Sequence, residues 1–120
     1  MEIWGDPNYA KDMLYVYDMA YMLCLAMENK TLTKGLYNCG TGIPVTLQEQ
    51  MEAIIDVFCP KDKKSKIKVL SDKIAGGGIL MDVQNAYEEL GYKPQYDVKR
   101  MFEDFKEEMK VDRFLELRGR

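Results

Sequence analysis

The sequence predicts an α/β arrangement, α+β-like in detail, of short strands and about four helices. Three observations carry that reading. Thr46, with Glu49 three residues on, forms a capping box ahead of an amphipathic stretch that Pro60 ends. Two more stretches with helical spacing follow Asp82 and Asp97. Between the helical stretches lie short runs of β-branched, aromatic and apolar residues bounded by Gly, Pro, Asn and Asp, which read as strands. The 120 residues predict a single domain, 1–120, with no internal repeat and no low-complexity tract.

Taken in order, Glu2-Ile3-Trp4 reads as a first short strand and Gly5-Asp6-Pro7-Asn8 as a turn. The rest of the chain is organised around Lys11–Met27. Met13-Leu14-Tyr15-Val16 has the composition of a strand, and Asp18 reads as the N-cap of a helix. From Met19 to Met27 every residue is apolar or aromatic. A helix apolar all round needs cover on both faces, from this chain or from another. It is too short for a bilayer, which needs about 20 residues. Cys24 falls inside it and reads as a small buried hydrophobe.

Leu36-Tyr37-Asn38-Cys39 reads as a strand, and Gly40-Thr41-Gly42 as a tight turn after it. The capped helix runs to about Phe58, with Met51, Ile54, Ile55 and Phe58 on one face. Lys61–Lys68 is a solvated loop, and Ile67–Leu70 a strand. Gly76–Gly78 is a mobile or close-approach segment. Asp82 caps a helix through Ala86, Tyr87 and Leu90. Gly91 supplies the left-handed residue past its end, and Pro94 prevents continuation. Asp97 caps the last helix, whose apolar face carries Met101, Phe102, Phe105, Met109 and Phe114. The tail Arg118–Arg120 is expected to fray.

Composition narrows the function classes. Net charge is −3 and no basic face is evident, so nucleic acid is disfavoured as a partner. There is no histidine, and the three cysteines are widely spaced without a CxxC motif. No metal site, disulfide framework or Ser-His or Cys-His catalysis is expected. A reduced cytoplasmic setting fits, and MEIWGDPNY has neither the basic nor the apolar region of a signal peptide. Neither glycine cluster has the spacing of a phosphate loop, and no tyrosine has a lysine four residues on. Composition and spacing alone reach no further than an α/β domain.

Four blocks, in order, reach further. Ile3-Trp4-Gly5-Asp6 resembles the strand and turn that enter the substrate domain of the extended short-chain dehydrogenase/reductases, the NAD-dependent sugar-nucleotide epimerases and dehydratases. Lys11–Ala20, KDMLYVYDMA, resembles that family's RDFVYVDDVA segment. Leu36–Glu49, LYNCGTGIPVTLQE, resembles its YNVGSGxPVTLxE segment, and Asp82–Pro94, DVQNAYEELGYKP, its DxSKAxxELGYKP segment. The resemblance covers nearly the whole chain and is to the family's C-terminal substrate-binding region.

The resemblance implies a nucleotide-sugar-binding part without the Rossmann domain, which in the family carries the NAD loop and the catalytic tyrosine and lysine. It implies no catalytic residue and no cofactor in this chain, which would be a fragment inactive alone. Trp4 falls where the family places an aromatic beside the nucleotide base; a core aromatic is the equal alternative. Lys11 falls where the family has an arginine on the diphosphate or ribose, and keeps its charge without the bidentate fork. Lys73 is the only cation where the family has another arginine. A homo-oligomer, or a separately encoded Rossmann half, is expected to cover the apolar helix. The alternative function is a standalone partner-binding or oligomerisation module with no catalytic role.

Overall fold

The computed structural model describes residues 1–73 and 78–111. Among them the order is β1 (Glu2–Trp4), β2 (Ala10–Asp12), α1 (Val16–Glu28), β3 (Pro44–Thr46), α2 (Leu47–Phe58), β4 (Lys68–Leu70), α3 (Gln84–Leu90) and α4 (Val98–Glu108). This is the α/β class with short strands and four helices that the sequence predicts. The strands form two separate ladders. β1 pairs with β4 in parallel, Ile3 opposite Val69, and β2 pairs with β3 antiparallel, Lys11 opposite Val45.

α2 matches the expectation most closely. The Thr46 hydroxyl accepts from the Glu49 N–H at 3.1 Å, and the Glu49 carboxylate accepts from the Thr46 N–H at 2.7 Å. Two donors that a helix start leaves unpaired are thereby satisfied. Glu49's carboxyl is held below its ordinary pKa by these bonds from Thr46. The buried face is Gln50, Ala53, Ile55 and Val57, with Met51, Ile54 and Phe58 half-buried at its margin. α4 packs on α2, with Met101 buried and the rings of Phe102 and Phe105 edge-on to Phe58. Asp97 caps α4 by accepting from the Arg100 N–H at 2.8 Å. Phe105 and Met109, expected on the apolar face, are exposed. Phe114, the tail Arg118–Arg120 and Gly76-Gly77 lie outside the described residues.

Four local expectations are corrected. The strand expected at Met13–Val16 lies earlier, at Ala10–Asp12, because that segment has β3 as a partner. Asp18 is not an N-cap. α1 begins at Val16 after Tyr15, which makes no side-chain cap, and Asp18 sits buried in the first turn. Its carboxylate accepts from the Gln95 and Tyr96 N–H groups at 2.8 and 3.1 Å, so it ties α1 to the entry of α4. Leu36–Cys39 belongs to no ladder among the described residues. Asp82 does not cap α3 directly. It accepts from the Gln84 N–H at 3.0 Å one position early, and Val83 is the N-cap. Gly91 does end α3 in the left-handed conformation, φ +65°.

The helix expected to be buried all round is not. α1 buries Asp18 and Met22, and Met22 packs with Ala86, Leu90 and Tyr92 of the α3 region. Tyr17, Met19, Tyr21 and Leu23 are exposed, Met27 is 80% exposed, and Cys24 is exposed rather than buried. On this second face the Tyr17 ring packs against Tyr15 and Tyr96 and the Tyr21 ring against Tyr92, while Met19, Leu23 and Met27 form an exposed apolar surface.

Candidate functional site

The three residues singled out from the sequence fall in two places. Trp4 ends β1 opposite Leu70. The Leu70 carbonyl accepts from the Gly5 N–H at 2.9 Å and from the Lys73 N–H at 3.2 Å. Trp4 and Lys73 are thus brought to the same end of the β1–β4 ladder. Trp4 is 55% exposed, with its indole N–H 3.4 Å from the Glu2 carboxylate, so it is a surface aromatic and not a core one. Lys11 lies in the other ladder, at the centre of β2, and is exposed.

Sequence reasoning missed the residue that ties the Lys11 strand to its surroundings. In a strand, neighbouring side chains point to opposite faces. Lys11 takes the solvent side and Asp12 the inner one. The Asp12 carboxylate accepts from the Thr41 hydroxyl at 2.6 Å and from the N–H groups of Thr41 at 2.8 Å, Gly42 at 2.9 Å and Met81 at 3.3 Å. Burial opposes its ionisation, yet these donors together outweigh burial and hold the carboxyl below its ordinary value. The glycines make the grip possible. A Cβ on Gly40 would stand 2.7 Å from the Asp12 carboxylate and 2.6 Å from the Met81 side chain, and Gly42 has φ +69°. The Gly40-Thr41-Gly42 loop is therefore an anion cradle already filled by the protein's own carboxylate. The signal in the sequence was the acid beside Lys11 together with two glycines flanking a threonine.

The 78–81 segment is strapped along the same strand. The Ile79 carbonyl accepts from the Asp12 N–H at 2.8 Å, and the Tyr9 hydroxyl accepts from the Gly78 N–H at 2.5 Å. A Cβ on Gly78 would come within 2.1 Å of the Ala10 carbonyl oxygen, which bears out close approach at that glycine. A second clamp fixes the segment after α1. Glu89 accepts from the Thr33 hydroxyl, the Tyr37 hydroxyl and the N–H groups of Thr33 and Lys34. The Thr33 hydroxyl and then the Tyr37 hydroxyl pull its carboxyl down to about 2. Tyr37 and Cys39 turn toward the core, while Leu36 and Asn38 face out. That alternation is a strand's, without a partner strand among the described residues.

Two hollows lie elsewhere on the described surface. A groove of about 210 Å³ is lined by Met13, Ile43, Pro44, Val45, Tyr96 and Val98; its polar neighbours Thr41, Glu49 and Asp97 already bond to Asp12, Thr46 and Arg100. An open cleft of about 570 Å³ lies between α2 and α4, with Asp56, Arg100, Glu103, Asp104 and Lys106 on its walls. Neither includes Trp4, Lys11 or Lys73. Among the described residues no cluster of ligands suits a metal ion, and no helix is long and apolar enough to cross a membrane.

Several solved structures share this fold. A UDP-glucose 4-epimerase from Thermotoga maritima, crystallised with UDP-glucose, is 26% identical with a TM-score of 0.64, over 91% of this chain and 35% of that one. A UDP-glucuronic acid 4-epimerase from Bacillus cereus, in complex with UDP-glucuronic acid and NAD, has 19% identity and a TM-score of 0.68, over 90% of this chain and 35% of that one. An ADP-L-glycero-D-manno-heptose-6-epimerase from Helicobacter pylori has 16% identity and a TM-score of 0.67, over 92% and 33%. At these last identities the likeness is one of fold. No family model and no curated relative matches the sequence. The chain spans about a third of the length of the structures it matches. The resemblance to the C-terminal region of the extended short-chain dehydrogenase/reductases stands on this shared fold.

Proposed function

We propose that this chain, with the fold of about one third of a sugar-nucleotide epimerase, is a nucleotide-sugar-binding region that works against a Rossmann half. The observation that carries the reading is the shared fold over 91% of the chain with an epimerase crystallised with UDP-glucose. The four sequence blocks, in family order, point the same way. Trp4 would lie against the base, with Lys11 and Lys73 toward the diphosphate. A lysine is a point charge, so each contact is weaker and less directional than an arginine fork. These 120 residues carry neither a glycine-rich NAD loop nor a tyrosine with a lysine four residues on, so in this reading the redox chemistry is assigned to the Rossmann half. The exposed Met19, Leu23 and Met27 of α1 and the alternating Leu36–Cys39 segment, which belongs to no ladder among the described residues, suit contact with such a neighbour.

The experiment is an amide NMR titration of the full chain with UDP-glucose, UDP and glucose. Shifts that saturate with UDP-glucose, stay small with glucose and centre on Trp4, Lys11 and Lys73 support the reading. Shifts confined elsewhere remove the site. A second reading is an oligomerisation or partner-binding module, favoured by the same exposed apolar face of α1. Light scattering separates the two: a concentration-dependent dimer without nucleotide-sugar binding favours the module.

A further inference from the structure

We propose that Asp12 is a positioning residue for the Lys11 phosphate contact, acting on ligand only through Lys11; this rests on the nucleotide-sugar reading above. Lys11 has a long flexible side chain on a three-residue strand, and its one ladder partner is the equally short β3. Such a pair is marginal by itself. What makes the strand rigid is the next residue. Asp12 draws two separate loops onto β2, the 40–42 turn through Thr41 and Gly42 and the 78–81 strap through Met81. Its backbone N–H adds a bond to Ile79. Three segments far apart in the chain therefore meet on one carboxylate, on the inner face of β2, while Lys11 is presented on the outer face.

The geometry assigns a division of labour within one dipeptide. Asp12 touches no ligand, since its oxygens are taken up by four donors and face inward. Among the described residues nothing anchors the Lys11 head, and it depends on the strand for its direction. A positively charged head is worth most to a phosphate when its stem leaves a fixed point, because less freedom is lost on binding. The depressed carboxyl of Asp12 agrees with a group kept ionised to hold these donors. The same residue would have no special effect on ligand if Lys11 were merely a surface lysine.

The test is a double-mutant cycle on the full chain, read as the UDP-glucose dissociation constant by NMR. Lys11→Ala, Asp12→Asn and the double variant are compared with the parent, with circular dichroism to confirm the fold. Asparagine turns an N–H₂ group toward donors that need an acceptor. The expected result is that Asp12→Asn weakens binding about fivefold when Lys11 is present and has no effect on the Lys11→Ala background. Equal weakening in both backgrounds overturns the proposal, since Asp12 would then act on the fold at large. If Asp12→Asn does not fold, Thr41→Val removes one donor alone and carries the same cycle, with Thr41→Ser restoring the parent affinity. Failure of the underlying reading looks different: the parent shows no saturable shift with UDP-glucose, or Lys11→Ala binds as the parent does. Either outcome also overturns the role of Asp12.

Discussion

Asp18→Ala should destabilise the chain by about 3 kcal/mol while leaving every helix in place by sequence. The carboxylate is 1% exposed and accepts from two backbone N–H groups, Gln95 at 2.8 Å and Tyr96 at 3.1 Å. Hydrogen bonds to a charged group contribute about 1.5–3 kcal/mol each, and alanine leaves both donors facing a space they cannot pair with. Two bonds at the low end give about 3 kcal/mol. Asp18→Asn should cost less, since one oxygen still accepts. The assay is urea unfolding followed by circular dichroism, with stability taken from midpoint and slope. Amide exchange adds a local readout, in which Gln95 and Tyr96 should lose protection first. A change under about 0.5 kcal/mol for alanine, or unchanged exchange at 95 and 96, would refute the assignment of Asp18 as the α1–α4 tie.

Thr46→Ala removes the capping box and should cost about 1 kcal/mol in the same urea assay. Asp12 ionises more readily in the folded chain than in the unfolded one. Its stabilising contribution is therefore complete above the ordinary value of 3.8 and is lost as pH falls through the lower folded value; Asp12→Asn should flatten that part of an acid titration of stability. The isolated chain should show no saturable binding of NAD or NADH at micromolar concentration in calorimetry, since the pyrophosphate seat of a glycine-rich loop and helix start is absent from its sequence. Met27→Lys, on the exposed apolar surface of α1, should weaken any self-association seen by light scattering without unfolding the chain. Met22→Lys should unfold it, because Met22 is buried against Ala86, Leu90 and Tyr92.

Local chemistry made much of the fold legible in advance. The Thr46–Glu49 box, the Asp97 cap and the Gly91 terminator each depend on bonds within one turn, and each is where the sequence places it. Asp18 misled because its short-range signature, an acid before an apolar run, is that of a cap. Its actual partners lie in the 95–96 segment, which periodicity cannot see. β3 was invisible for the same reason: Pro44-Val45-Thr46 becomes a strand only because Ala10–Asp12 lies beside it. The Leu36–Cys39 run has a strand's composition and alternation but no partner strand among the described residues. At the candidate site, Trp4 and Lys73 came from motif positions. The Asp12 clamp came only from the folded chain, since its donors are spread over the 41–42 and 81 positions.

The parallel ladder of β1 and β4 has a consequence for the order in which the chain can form. Parallel strands cannot be joined by a tight hairpin, so Ile3 waits for Val69 across most of the intervening sequence. On a ribosome adding about 5–20 residues per second, β1 emerges several seconds before its partner exists. The β2–β3 ladder and α2 can close in that interval, because Val45 and the Thr46 cap are made earlier. Joining residue 3 to residue 69 closes a far longer loop than the β2–β3 ladder does, and should be the slower of the two pairings. The amide of Ile3, at the centre of β1, is thus a reporter of β1–β4 closure: a nascent chain arrested before Lys68 should leave it open to exchange, and release past Leu70 should close it.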